Sequence, residues 1–282
     1  MTKSDNDNNC RTVSMEGDGD LIEKAQNTKK ELIVHYKLNF KCVCLVTVSI
    51  PSIALIVCVI SAVVFQYDDV HESHCQVFNI IPSISAVTGI SPQRYIWRIS
   101  IALHVGPRVI ICAVYNAYQL NSIKAIAPLE NKMRAQMWLN LAYILNLIET
   151  GALCGVTYIS NVENYPMHEK LFIMFMISSL GHMIACIQGT KFAAETRRDL
   201  HLVKEGLKYK QNLLIMSLFS TVTLIGFFYL HRWYCMRLAF SIFSLSEYII
   251  TAANVAFHIS VILDFPTEDL IVGKIIHTKK ID

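Results

Sequence analysis

The stretch CVCLVTVSIPSIALIVCVISAVVF, residues 42–65, decides the fold. It is apolar throughout, interrupted only by Thr47, Ser49, Ser52, Ser61 and Pro51. A helix needs about 20 apolar residues to cross a bilayer's hydrocarbon core, so this run is long enough to span it. Five more stretches read the same way: Tyr95–Leu120, Trp138–Ser160, Leu171–Gly189, Leu213–Leu230 and Leu238–Phe265. The chain as a whole agrees. Of its 282 residues 53% are hydrophobic and only 17% charged, against about a quarter charged in soluble domains. Mean hydropathy is +0.40. These values exclude a disordered, collagenous or nucleic-acid-binding protein and argue against a soluble enzyme. A net charge of +3 also gives no reason to expect a nucleic-acid partner. The expected fold is an all-α polytopic membrane protein, a bundle of six transmembrane helices.

Lysine and arginine set the orientation. They gather in the head (Lys3 to Lys41), the second loop (Lys124, Lys132, Arg134), the fourth loop (Lys191, Arg197, Arg198, Lys204, Lys208, Lys210) and the tail (Lys274, Lys279, Lys280). The alternate loops and their helix edges hold only Arg94, Arg98, Lys170, Arg232 and Arg237. Cytoplasmic loops collect these residues, so both termini are expected in the cytosol. Residues 1–38 are rich in Asp, Asn, Lys and Ser and read as a disordered cytosolic tail. Residues 39–268 form the membrane domain, and 269–282 a second cytosolic tail. The head lacks the features of a cleaved secretory signal.

Two cysteines, Cys75 and Cys235, fall in loops on the lumenal, oxidising side. They are a disulfide candidate, the alternative being two unrelated free thiols. The ending Lys279-Lys280-Ile281-Asp282 fits a dilysine retrieval signal read by vesicle coat proteins, and points to the endoplasmic reticulum or Golgi. The alternative is an ordinary lysine-rich membrane tail.

Ionisable side chains inside spans cost about 2.5–3.5 kcal/mol each at mid-helix, which makes them functional candidates. His104 and Arg108 share a face of span two. Asn146 and Glu149 lie on span three, and His182 on span four behind Gly181, where a small residue admits close helix contact. Glu247, Thr251, Asn254 and His258 form one polar stripe on span six. At about 1.5 Å rise per residue, Arg108, Glu149, His182 and Glu247 all converge near the bilayer's middle, about 14–20 Å along their helices. Three readings stay open at this point: ion pairs that only glue the bundle, a cavity that binds or processes a lipid headgroup, and proton or ion translocation. No spacing such as His-Glu-x-x-His is present, so no metal is expected, and no cofactor motif is found. The phosphate loop and the Gly-x-Ser-x-Gly elbow are absent as well.

The first lumenal loop adds more. Cys75-Gln-Val-Phe-Asn79-Ile-Ile-Pro82-Ser83, then Pro92-Gln93-Arg94-Tyr95-Ile-Trp97-Arg98, resembles the post-GPI-attachment-to-proteins factor 2 family. The likeness continues through Leu103-His104-x-x-Pro107-Arg108, Thr157-Tyr158, His168-Glu169 and Ser178-Ser179-Leu180-Gly181-His182. It ends with Tyr234-Cys235, Glu247-Tyr248, Asn254-x-Ala256-Phe257-His258 and Asp264-Phe265. The resemblance implies a Golgi or endoplasmic reticulum protein of GPI-anchor lipid remodelling, needed when a saturated chain is put back on lyso-GPI. Its implied partners are a GPI lipid or lyso-GPI-anchored protein, membrane lipids and an acyl donor. The alternatives are a non-catalytic lipid-binding or assembly factor for a separate enzyme, and a proton-coupled transporter. On the acyl-transfer reading, His104 or His182, oriented by Glu149 or Glu247, is the candidate general base. Arg94, Arg98 and Arg108 would hold the lipid phosphate.

Overall fold

The computed structural model describes residues 28–73, 75–125, 129–194, 200–264 and 269–279. Six helices among them are long and apolar enough to cross a membrane: α1 (Phe40–Phe65), α4 (Gln93–Ser122), α5 (Leu129–Tyr158), α6 (Tyr165–Ala194), α7 (Leu200–Tyr234) and α8 (Ala239–Ile259) with its extension α9 (Val261–Asp264). Two short helices, α2 (Tyr67–His71) and α3 (Ile84–Gly89), lie between α1 and α4.

Sequence chemistry explains the boundaries. Asn39 caps α1 by accepting from the Cys42 amide at 3.1 Å. Exposed Ile53, Ile56, Ile60 and Val64 recur down one side of α1, and Phe219, Val222 and Ile225 down α7. Apolar groups bare at helical spacing are what lipid would cover. The helices overrun the expected spans mostly at their polar ends, because a helix keeps its internal hydrogen bonds as it leaves hydrocarbon.

α5 and α6 pack along most of their length, and the reason is small residues. A Cβ at Gly181 would stand 3.1 Å from Leu145, and one at Gly189 would stand 2.5 Å from Leu139. The close contact expected at Gly181 is therefore present, and Gly189 and Gly155 extend it along the seam. α7 packs on α8, and α4 lies between α1 and α5.

The loop before α4 is sewn to the bundle. Cys75 and Cys235 form a disulfide, with their Cα atoms 5.5 Å apart. Ser241 of α8 accepts from the Ile80 amide at 2.8 Å and donates to the Asn79 side chain. Glu247 accepts from the Ile84 amide at 2.9 Å.

A second, separate unit pairs two strands, β1 (Thr28–Asn39) and β2 (Asp269–Lys279). Residues 28–38, expected as part of a disordered tail, carry β1, and 269–279, expected as a cytosolic tail, carry β2. The segments Leu32-Ile-Val-His-Tyr36 and Ile271-Val-Gly-Lys-Ile275 are β-branched and aromatic, a composition that suits strands. Lys37 and Asp269 also pair across them at 2.8 Å. The expected disorder of residues 1–27 falls outside the described residues. So does Lys280 of the dilysine ending, along with the side chain of Lys279.

Candidate functional site

Four helices meet at one buried carboxylate. Glu149 of α5 is 0% exposed, and its Oε1 accepts from Arg108 Nη2 of α4 at 2.6 Å and from Asn254 Nδ2 of α8 at 2.7 Å. Asn254 also donates to Ser179 of α6 at 2.7 Å. His258 Nε2 lies 3.1 Å from the same Glu149 oxygen and 2.8 Å from Arg108 Nη2. A single ring nitrogen either donates to the carboxylate or accepts from the guanidinium, so His258 has two alternative bonds within the cluster. Arg108 and Glu149 neutralise each other. That arrangement satisfies charge in a medium where an isolated ion is very costly.

The other histidines are oriented by backbone carbonyls. His104 Nδ1 lies 2.7 Å from the Thr47 carbonyl of α1, and His182 Nδ1 lies 2.9 Å from the Ala142 carbonyl of α5. A carbonyl only accepts, so Nδ1 carries the proton in both rings and Nε2 of the neutral ring is an acceptor. His182 Nε2 faces Asn146 Nδ2 at 3.5 Å, and the His182 ring stacks on His258 with centroids 5.4 Å apart. His104 Nε2 has no hydrogen-bond partner among the described residues.

A narrow cavity runs beside this cluster, lined by His104, Arg108, His182 and His258 and, further along, by Tyr115 and Lys210. It has room for about two water molecules. Two buried atoms at the cluster have no partner among the described residues, Arg108 Nε and Glu149 Oε2.

Not every predicted residue joins. Glu247 was expected to converge with Glu149, but it lies seven residues before Asn254 along α8, about 10 Å toward the other end. There it binds the loop amide of Ile84 instead. The polar stripe of α8 therefore serves two levels of the bundle. Arg94 and Arg98, expected to hold a lipid phosphate together with Arg108, are bonded to Glu163 and to backbone carbonyls. Arg98 reaches Glu163 at 2.5 Å and the Tyr158 carbonyl at 2.8 Å; Arg94 reaches Glu163 at 3.7 Å and the Gly89 carbonyl. The backbone amide and hydroxyl of Ser160 and the Arg98 guanidinium hold the Glu163 carboxyl down at about 2.

Sequence reasoning missed a second buried ion pair. Lys210, counted with the fourth loop, is 0% exposed inside α7, where it pairs with Asp264 of α9. Tyr115 of α4 donates to Asp264 at 2.7 Å and accepts from Lys210 at 3.1 Å. The signal was available: Asp264 lies inside the sixth expected span, and a carboxylate there needs a cation.

Glu149, His182 and His258 offer ligand atoms within 4.8 Å of one another, a metal-like grouping. The Arg108 guanidinium already sits against two of the three, so a divalent ion would meet a fixed positive charge.

Fold and site together define a polytopic membrane protein with six apolar helices and a paired polar cluster at mid-bundle. Residues 39–268 match the Frag1/DRAM/Sfk1/Cwh43P N-terminal domain. The chain belongs to that family and, within it, to the post-GPI attachment to proteins factor 2 proteins. It is 46% identical over 246 residues to the Drosophila melanogaster protein named post-GPI attachment to proteins factor 2-like, covering 86% of this chain and 75% of that one. A Caenorhabditis elegans protein named post-GPI attachment to proteins factor 2 is 34% identical over 227 residues, 79% of this chain and 84% of its own. A Xenopus tropicalis protein named acyltransferase PGAP2 is 29% identical over 238 residues, 84% of this chain and 92% of its own. No solved structure matches the chain.

Proposed function

We propose that this protein acts in GPI-anchor lipid remodelling, in the step that returns a saturated acyl chain to lyso-GPI, and that it catalyses the transfer itself. One juxtaposition carries the reading. A neutral imidazole with a free acceptor nitrogen, His104, lines the same apolar cavity as a guanidinium whose Nε–H has no partner, Arg108. Acyl transfer needs a base for the attacking hydroxyl and a donor for the oxygen that gains negative charge. His104 and Arg108 supply that pair one helical turn apart. Glu149, His182 and Asn254 hold Arg108 and His258 in place. The relative named an acyltransferase supports the same direction.

The acceptor is a lyso-GPI lipid, free or on a protein, and the membrane is that of the Golgi or endoplasmic reticulum. Both ends of the helical unit face the cytosol. Lys279 and Lys280 serve as the retrieval signal that coat proteins read.

A second reading is favoured by the joining of α4, α5, α6 and α8 through Arg108, Glu149, Asn254 and Ser179. On it, the polar groups only hold the bundle together and another enzyme does the chemistry. Mass spectrometry of GPI lipid chains separates the two, using cells that lack the protein and receive wild type or His104→Ala. Lyso or unsaturated chains persisting with His104→Ala at normal protein level support catalysis. Full rescue by that variant would assign the chemistry elsewhere.

A further inference from the structure

The two paired tail segments present an apolar surface of their own. Side chains alternate between the faces of a strand, and the Lys37–Asp269 bridge shows which faces coincide. Lys37 and Asp269 share one face, so Ile33 and His35 of β1 lie there with Ile271 and Ile275 of β2. The other face gathers Val34, Tyr36 and Leu38 of β1 with Leu270, Val272 and Ile276 of β2. Lys274 joins them, and that face holds no acid among the described residues. The ribbon is thus two-sided: an ion pair and a histidine on one face, six apolar groups and a lysine on the other.

This second face is largely bare. Val34 is 48% exposed, Tyr36 59% and Val272 58%. A sheet of two strands is marginal in water, because no other layer takes up its apolar face. A surface that covers this face and leaves the strand edges wet would stabilise it.

We infer that this face docks on the anionic lipid surface of the membrane, on the side that bears both tails. β1 ends at Asn39 and α1, long and apolar enough to cross a membrane, begins at Phe40. Val34, the farthest of the three β1 residues, is therefore tethered within about 20 Å of the helix start. Charge agrees with that occupant. By sequence the strands hold Lys29, Lys30, Lys37, Lys274 and Lys279 against only Glu31 and Asp269, and exposed Lys41 follows in the first turn of α1. Basic groups beside a membrane helix are drawn to an anionic leaflet, and on the proposed orientation this leaflet is the cytosolic one. The side chains also suit the headgroup level. Tyr36 combines an apolar ring with a hydroxyl, and the Lys274 stem lies along the apolar face while its ammonium reaches lipid phosphate. The outer strand edges have backbone groups that need water, so the ribbon stays among headgroups and does not enter hydrocarbon. A second copy is a poorer occupant, since it would bring one lysine-rich ribbon against another. The docking is independent of the chemistry at His104 and gives the tails a membrane-binding role of their own.

Full-length protein in nanodiscs tests the inference, with discs of phosphatidylcholine alone or mixed with phosphatidylserine. A fluorescent noncanonical amino acid replaces Tyr36 or Val272 on the apolar face, or Ile33 or Ile275 on the other, one position at a time. Lipids carrying a nitroxide just below the headgroup quench any probe that touches the bilayer. In the phosphatidylserine discs, quenching at Tyr36 and Val272 is expected to be at least twice that at Ile33 and Ile275. It should fall at least twofold when phosphatidylserine is left out. Lys274→Glu should weaken it at least twofold, while Lys274→Arg keeps it. Equal quenching at all four positions, quenching in one strand only, none at any position, or the same quenching without phosphatidylserine would each overturn the inference. Energy transfer between differently labelled copies in one disc, with Tyr36 and Val272 probes unquenched, would assign the face to a second copy instead.

Discussion

At the residue scale, Glu149 and His104 do different work and respond differently to substitution. Glu149 accepts two strong bonds at zero exposure, and its loss strands the Arg108 charge inside the bundle. Breaking one partner of a buried pair costs about 3–5 kcal/mol, so Glu149→Gln is expected to lower folded protein and its melting temperature in detergent. Replacing both residues, as Arg108→Met with Glu149→Leu, restores much of that stability but not activity. His104 makes one bond, to a carbonyl. His104→Ala therefore costs little stability while abolishing chain replacement, read by protein level against GPI lipid mass spectra. Glu163 gives a test by pH. Its carboxyl is held at about 2, below the ordinary 4.5. A depressed carboxyl contributes stability above its unfolded value and loses it as pH falls through the folded one. The bonds from Arg94 and Arg98 to Glu163 are therefore expected to be unchanged from pH 7.5 to 5. Proteolysis of the 159–164 loop should stay flat across that range in wild type and rise at every pH in Glu163→Gln.

At the scale of elements, legibility followed hydropathy. The six spans were readable because hydrocarbon demands long apolar helices, and the close contact at Gly181 because a small residue on a helix invites a neighbour. What the sequence did not show was which polar groups face one another. Rise per residue gives depth but not rotation or tilt, so Glu247 was placed with Glu149 when a loop amide holds it nearer the other end. Arg94 and Arg98 were grouped with Arg108 because all three lie on one helix. Their partner Glu163 lies in a loop whose position depends on how α5 and α6 pack. Lys210 was read as a loop residue because it precedes the clean apolar run by three positions. Its burial depends on Asp264, brought back by the break at Ser260. This pair predicts a measurable asymmetry. Asp264→Asn leaves a buried lysine without its counter-ion and is expected to destabilise α7 and α9 together, by about 3 kcal/mol or more. Lys210→Met in the same chain should recover most of it. Hydrogen exchange over 204–264 reads both, and an effect confined to α9 would mean that Lys210 finds another anion.

For the whole molecule, two independent observations bear on the proposed orientation. An even number of crossings returns both ends of the helical unit to the same face, and the lysine-rich loops share that face. The disulfide joining Cys75 to Cys235 belongs to the opposite ends of the helices, and disulfides persist in oxidising compartments. The proposed orientation, with those ends outside the cytosol, is the one that charge and redox chemistry both favour, although neither constrains the other. The bond also closes a sequence separation of 160 residues between the loop before α4 and the α7–α8 turn. Removing a native disulfide typically costs about 2–5 kcal/mol. Cys75→Ser with Cys235→Ser is therefore expected to loosen the 76–83 loop while leaving the central cluster paired, since Glu149, Arg108 and Asn254 touch none of the loop. In sealed microsomes, a membrane-impermeant maleimide should fail to label Cys75 and Cys235 from the tail-bearing face. After permeabilisation it should label them only when a reductant is added. Labelling of either cysteine from the tail-bearing face in sealed vesicles would invert the orientation, and with it the side from which each substrate reaches His104.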